Sequence, residues 1–327
     1  TLTRPLIMRL SFYCVLEVGI EDPDEPKDPE TPHFIPAYSQ KVKASKEFQT
    51  FQFDHSFVLN SLKSSMEGYV FHNQPLDTDD LLEQTVKLFN SCKTSLELFD
   101  MLHNMRAYDD STHAHSLNVA LICRRIGKWL KVDAATLDTL TLCGLLHDIG
   151  KLKIPDEILN KPGKYTDEEF DLVKRHTKFG YELLKPLNID PHIKKAALLH
   201  HERCDGSGYP LKATQKDLDD FSMVVAIADV YDAMTAARSY RAPLCPFQVI
   251  DRFEQEGLQK YKPKFILTFL QHIASTYQNN RVLLSNGQSA NIVMLNQQHL
   301  ARPIVQLNDN SCIDLSTRLD LHIQSIL

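Results

Sequence analysis

Five histidines and two aspartates stand at His115, His147, Asp148, His176, His200, His201 and Asp229. Imidazole nitrogens and carboxylate oxygens ligate divalent metal ions such as iron, manganese and zinc. Two of the six steps between them join adjacent residues, His147-Asp148 and His200-His201. Successive residues on a helix point about 100° apart. His147 and Asp148 therefore either share one edge of an ion or reach two neighbouring ions. A carboxylate can bridge two ions roughly 3.5–4 Å apart, and Asp148 is the candidate bridge. Seven ligands with one shared suit a two-metal centre. Such a centre suits phosphodiester hydrolysis, because it makes water a nucleophile near neutral pH and draws charge from phosphoryl oxygens. A lone His-Asp or His-His pair is ordinarily incidental. The weight lies in the whole set.

Something must bring these residues together. They are separated by 32 (115 to 147), 28 (148 to 176), 24 (176 to 200) and 28 (201 to 229) residues. Each gap lets one helix leave the site and another return, as in bundles that build metal sites from facing helices. Apolar residues recur at helical spacing from Leu81 to Phe89, opened by acidic Asp77–Asp80. Helical patterns follow over Ser95–Arg106, Thr112–Leu130, Ala134–His147, Pro191–His201, Phe221–Ala237, Pro246–Leu258 and Pro263–Tyr277. Thr166 to Glu169 reads as a capping box. The expected fold is mainly α, with residues 76–278 as a helical domain and no strand–helix alternation for a parallel sheet.

The flanks differ. Residues 279–327 predict a small β module: Arg281–Leu284, a turn at Ser285-Asn286-Gly287, Ala290–Leu295, then strands near 303–307 and 312–315. Residues 1–75 read as a less regular segment with one strand within 6–20, which could join that module. Pro23, Pro26, Pro29 and Pro32 recur every third residue, which reads as an acidic stiff loop rather than a peptide ligand.

Bulk properties exclude several classes. The chain has 327 residues, 43% hydrophobic, with a net charge of −6. It has no global basic field for a nucleic-acid polymer or an acidic membrane. No apolar run approaches the roughly 20 residues needed to span a bilayer. Seven cysteines without a CxxC pair fit free thiols in a reducing cytoplasm. A cytoplasmic protein is the expectation.

From Asp109 to Arg241 the chain resembles the HD-GYP group of metal-dependent phosphohydrolases. The matching blocks are His115-Ser116-Leu117-Asn118-Val119, the LLHDIGK run at 145–151, and Lys174-Arg175-His176. The HHER to GYP run at 200–210, Asp229-Val230-Tyr231-Asp232 and Arg238-Ser239-Tyr240-Arg241 complete them. The resemblance implies an HD-type helical bundle that opens cyclic di-GMP to linear pGpG and often to GMP. It implies a cofactor of two divalent ions, iron or manganese before zinc. One ion would take His115, His147, Asp148 and Asp229; its neighbour would take His176, His200 and His201, with Asp148 shared. Lys151 matches a lysine that contacts the scissile phosphate. Gly208, Tyr209, Arg238 and Arg241 are candidate substrate contacts, and Asp109 matches a position that receives a guanine edge.

Alternatives stay open for several of these. The loop Asp205–Pro210 by itself reads as a structural turn, and Tyr209 either stacks on guanine or closes the core. Arg203 is a candidate partner for Glu202 or a loop carboxylate. Tyr231 to Met234 reads as core packing. Some relatives carry a glutamate four residues before the position of His115, associated with a third metal; here Ser111 stands there, so two metals are expected. Cys204 replaces a common tryptophan, which is expected to loosen the loop. Competing functions are a cyclic-dinucleotide receptor with little turnover and a phosphodiesterase for another cyclic dinucleotide. A homodimer or a signalling-protein partner fits such roles.

Overall fold

Polar side chains that satisfy backbone N–H groups open most of the helices. In a computed structural model the described residues are 38–105, 111–161, 163–236 and 244–327. Numbering counts these described elements. The first helices are α1 (Tyr38–Ala44), α2 (Lys46–His72), α3 (Thr78–Ser91), α4 (Ser95–Met105), α5 (Thr112–Trp129) and α6 (Ala134–Leu146). A 3-10 turn, Ile149–Lys153, follows. Then come α7 (Asp156–Leu159), α8 (Asp167–Lys174), α9 (His176–Leu184), α10 (Pro191–Leu199), α11 (Asp220–Thr235), α12 (Pro246–Glu256) and α13 (Pro263–Thr276). Ser45, Asp77, Ser111, Asp133, Asp190 and Asp219 cap helix starts with their side chains. The capping box at Thr166 and Glu169 is formed in both directions.

Helix α5 is the axis. Leu117, Val119, Ala120, Leu121, Ile122 and Cys123 are all buried. A helix apolar on every face belongs in a core, and α5 packs against α2, α3, α6, α11 and α13. The ends of α6 and α10, the start of α9 and the middle of α11 meet beside it.

Residues 38–72 differ from the irregular segment expected of them. Helix α2 runs 27 residues, and Phe48, Phe51, His55, Val58, Leu59, Leu62 and Met66 are buried along one face. Their spacing of three and four is helical. Phe53, Phe57 and Phe71 lie on the exposed side and blur that pattern in the sequence. His55 Nε2 meets Asn118 Oδ1 at 3.2 Å and ties α2 to α5. The strand expected within 6–20 and the proline-rich stretch lie outside the described residues, as do Asp109, Arg238 and Arg241.

The C-terminal segment forms one antiparallel sheet in the order β4-β3-β2-β1-β5. Its strands are β1 (Arg281–Leu284), β2 (Ser289–Met294), β3 (Ile304–Leu307), β4 (Cys312–Asp314) and β5 (Ile323–Ile326). The first four match expectation. The fifth, of 4 residues, was not expected. It pairs with β1 and contacts α12. No helix among the described residues is long and apolar enough to cross a membrane.

A candidate metal centre

His147 closes α6, and Asp148 begins the 3-10 turn. That turn sits hard against α9. A Cβ on Gly150 would lie 1.9 Å from the carbonyl oxygen of His176 and 2.4 Å from the nitrogen of Gly180. Only glycine permits this approach, and the approach brings Asp148 to His176. His200 caps α10 with His201 following, His115 stands in the first turn of α5, and Asp229 lies midway along α11. All seven predicted ligands come together.

The two oxygens of Asp148 face two separate sets of nitrogens. Oδ2 lies 3.2 Å from His147 Nε2 and 3.7 Å from His115 Nε2. Oδ1 lies 3.3 Å from His176 Nε2 and 3.6 Å from His200 Nε2. Ligand atoms of Asp148, His176, His200 and His201 fall within 4.8 Å of one another, as do those of His115, His147 and Asp148. Asp229 spans the two sets, with Oδ1 at 3.1 Å from His115 Nε2 and Oδ2 at 3.7 Å from His201 Nδ1.

Backbone carbonyls choose the tautomers. His147 Nδ1 donates to Gly144 O at 2.7 Å, His176 Nδ1 to Val173 O at 2.6 Å, and His200 Nδ1 to Ala196 O at 2.9 Å. A carbonyl only accepts, so each Nδ1 carries the hydrogen. In the neutral rings each Nε2 then turns a lone pair inward. Burial holds His176 down to about 3 and lowers His200 and His201. His176 and His200 are therefore neutral at physiological pH. Their Nε2 atoms nevertheless face each other at 3.3 Å. Two lone pairs at that distance repel unless a positive charge lies between them. His147 Nε2 and Asp148 Oδ1 are buried without a hydrogen-bond partner. Orphaned acceptors converging in this way fit divalent cations.

The other side is built differently. His115 Nδ1 lies 2.8 Å from Asp232 Oδ2. Burial lowers its affinity for a proton, but the hydrogen bonds to Asp229 and Asp232 outweigh that and raise it to about 9. Burial would raise the Asp148 carboxyl; its contacts with His147 and the Lys151 ammonium overcome that and hold the group well below the carboxylate range. Lys151 Nζ donates to Asp148 Oδ2 at 2.5 Å.

Two contributors were missed in the sequence. Asp232, read as core packing, buttresses His115, the usual carboxylate partner of a ligating imidazole. Its position three after Asp229, on the same face of α11, was the available signal. Glu202 is buried and accepts from Leu211 N at 2.5 Å and Ala213 N at 3.1 Å. It therefore anchors the loop that follows. Arg203 departs from expectation: it bonds the carbonyls of His200 and Glu202 and lies over the Tyr261 ring, leaving the Glu202 carboxylate to the loop backbone.

Within the loop, Tyr209 stacks on His201 with centroids 4.7 Å apart. A Cβ on Gly208 would come within 2.5 Å of Arg203 N and His201 O, so this glycine is required for backbone packing whatever else it touches. Cys204 is buried against Met223 at 3.7 Å. Its backbone bonds Lys260 and Gln215, so at the site of the expected loosening the loop is tied on both sides. Ser111 caps α5 by accepting from Ala114 N.

The family model for the HD domain matches residues 80–265. The chain belongs to the HD-domain family, and it carries the sequence Gly208-Tyr209-Pro210. It is 34% identical over 183 residues to a Vibrio cholerae protein named 3'3'-cGAMP-specific phosphodiesterase 2, covering 55% of this chain and 35% of that one. It is 36% identical over 178 residues to a Thermotoga maritima cyclic di-GMP phosphodiesterase, covering 54% and 48%. The chain thus spans half or less of the length of these relatives. Among solved structures, Bd1817, a HDG"Y"P protein from Bdellovibrio bacteriovorus, shares the fold with a TM-score of 0.50 and 17% identity, covering 72% of this chain and 74% of that one.

Proposed function

We propose that the chain hydrolyses cyclic di-GMP to linear pGpG, and on to GMP, at a centre of two divalent ions. The carrying observation is Asp148, whose two oxygens each face a different pair of imidazoles. His115, His147, Asp148 and Asp229 would hold one ion, and His176, His200 and His201 with Asp148 would hold the other. Imidazole and carboxylate donors without thiolate suit iron, manganese or zinc. Such ions supply a water nucleophile at neutral pH and neutralise phosphoryl charge. Similarity to phosphodiesterases of cyclic dinucleotides supports the substrate class.

The chain's own residues do the rest. Lys151, one-fifth exposed on Asp148, is positioned to hold a phosphate oxygen and to keep Asp148 ionised. Asp232 keeps the Nε2 of His115 directed inward. Tyr209 and Gly208 line the approach beside His201 and contact the substrate. Asp109, Arg238 and Arg241 complete the substrate contacts in this reading.

The test uses protein purified without oxygen, metal analysis, and chromatography of the products of cyclic di-GMP. Metal-dependent release of pGpG or GMP is expected. Tight binding with no product would make the chain a receptor and end the proposal. The relatives named for 3'3'-cGAMP favour a second reading, in which that dinucleotide is cleaved and cyclic di-GMP spared; the same assay with both substrates separates the two.

A further inference from the structure

A cavity lined by residues of several elements lies away from the metal centre. It holds about 370 Å³ and opens where α1, α4, the C-terminal end of α11 and β5 meet. Phe99, Tyr231 and Tyr277 form an aromatic wall, Ser325 lies on the sheet side, and Asp100 supplies a carboxylate. A few-hundred-Å³ cavity with apolar walls and a few placed polar groups is the usual form of a small-molecule site.

Asp100 sets the chemistry. Tyr38 donates its hydroxyl to Oδ2. Among the described residues no lysine or arginine forms an ion pair with it, and His103, one turn further on, lines the same cavity. Oδ1 is left to the cavity. A carboxylate removed from water without a cation is costly to keep ionised. Aromatic rings beside it attract a cation through their π-faces. Helix α11 carries Asp229 and Asp232 to the metal centre and, at Tyr231 and Thr235, walls this cavity.

We propose that this cavity binds a small organic cation: an ammonium or amidinium head that donates N–H bonds to Asp100, with a compact apolar body against Phe99, Tyr231 and Tyr277. An anion is repelled by the same carboxylate. A neutral body of equal size gains the apolar contact and loses the charge.

The experiment compares three probes of one shape, benzylamine, benzyl alcohol and benzoate, by calorimetric titration into the full 327-residue chain. Benzylamine is expected to bind with a Kd of roughly millimolar or tighter, about tenfold or more ahead of the other two. Asp100→Asn should erase that preference while leaving the far-ultraviolet spectrum unchanged. Ser325→Trp, which fills the cavity from the sheet side, should abolish binding of all three. Benzylamine binding no better than benzyl alcohol, undiminished by Asp100→Asn or by Ser325→Trp, or absent up to ~10 mM would overturn the proposal. Because these readouts need no metal and no turnover, their failure is separate from any failure of the phosphodiesterase reading.

Discussion

Two carboxylates withdrawn from water, Asp148 and Asp100, respond in opposite directions. Asp148 is held well below its ordinary range, because its contacts with His147 and the Lys151 ammonium overcome burial. Asp100 is pushed up to about 6 by burial, which the hydroxyl of Tyr38 only partly offsets. Desolvation acts alike on both. The difference is the company each keeps. The bundle gathers imidazoles and an ammonium around Asp148, while around Asp100 it leaves a cavity. A buried acid with fixed counter-charges is a metal platform. A buried acid with an open space beside it is a receptor for a charge that comes from outside.

The largest effect should come from removing the shared ligand. Asp148→Ala is expected to cut turnover on the order of 10³-fold or more and to strip both ions, measured by product chromatography and metal analysis on one sample. Full activity in that variant would break the bridging argument. Removing the support of a ligand should do less. Asp232→Asn is expected to weaken metal binding by roughly 10–100-fold, read by competition with a chelator, with folding intact.

Asp100 sharpens the contrast through pH. Its folded value of about 6 lies above its ordinary 3.8, so the folded state holds the proton more tightly than the unfolded chain does. Its contribution to stability is then fullest below pH 4 and falls as pH rises through 4 to 6. Asp100→Asn should remove that fall, leaving the variant ~1–3 kcal/mol more stable than the parent at pH 7 and little different at pH 3.5. Denaturant melts at the two pH values measure it. If the stability difference between Asp100→Asn and the parent does not widen across this window, Asp100 is not the uncompensated acid described here.

The smallest effect concerns Ser111. As a helix cap, its replacement by alanine should cost ~1 kcal/mol of stability with metal content unchanged. A loss of metal on Ser111→Ala would give this residue a role at the centre that its hydrogen bond to Ala114 does not express.

Much of this was legible in the chain itself. Helix periods, the capping box at Thr166 and the first four strands are local, and local chemistry writes them into neighbouring residues. The convergence of the five histidines with Asp148 and Asp229 was legible too, because the gaps between them each leave room for a helix to depart and another to return. Helix α2 was obscured by Phe53 and Phe57, whose exposed rings imitate a core face. Other facts belong to tertiary structure alone. Which oxygen of Asp148 meets which imidazole depends on Gly150 pressing against α9. The tautomers depend on carbonyls at Gly144, Val173 and Ala196. That Asp232 serves His115 while Asp100 faces an empty space depends on how α11, α4 and β5 cross. The types of side chain state what chemistry is available; only packing sets the distances between residues remote in sequence, and electrostatic and hydrogen-bond energies depend on those distances.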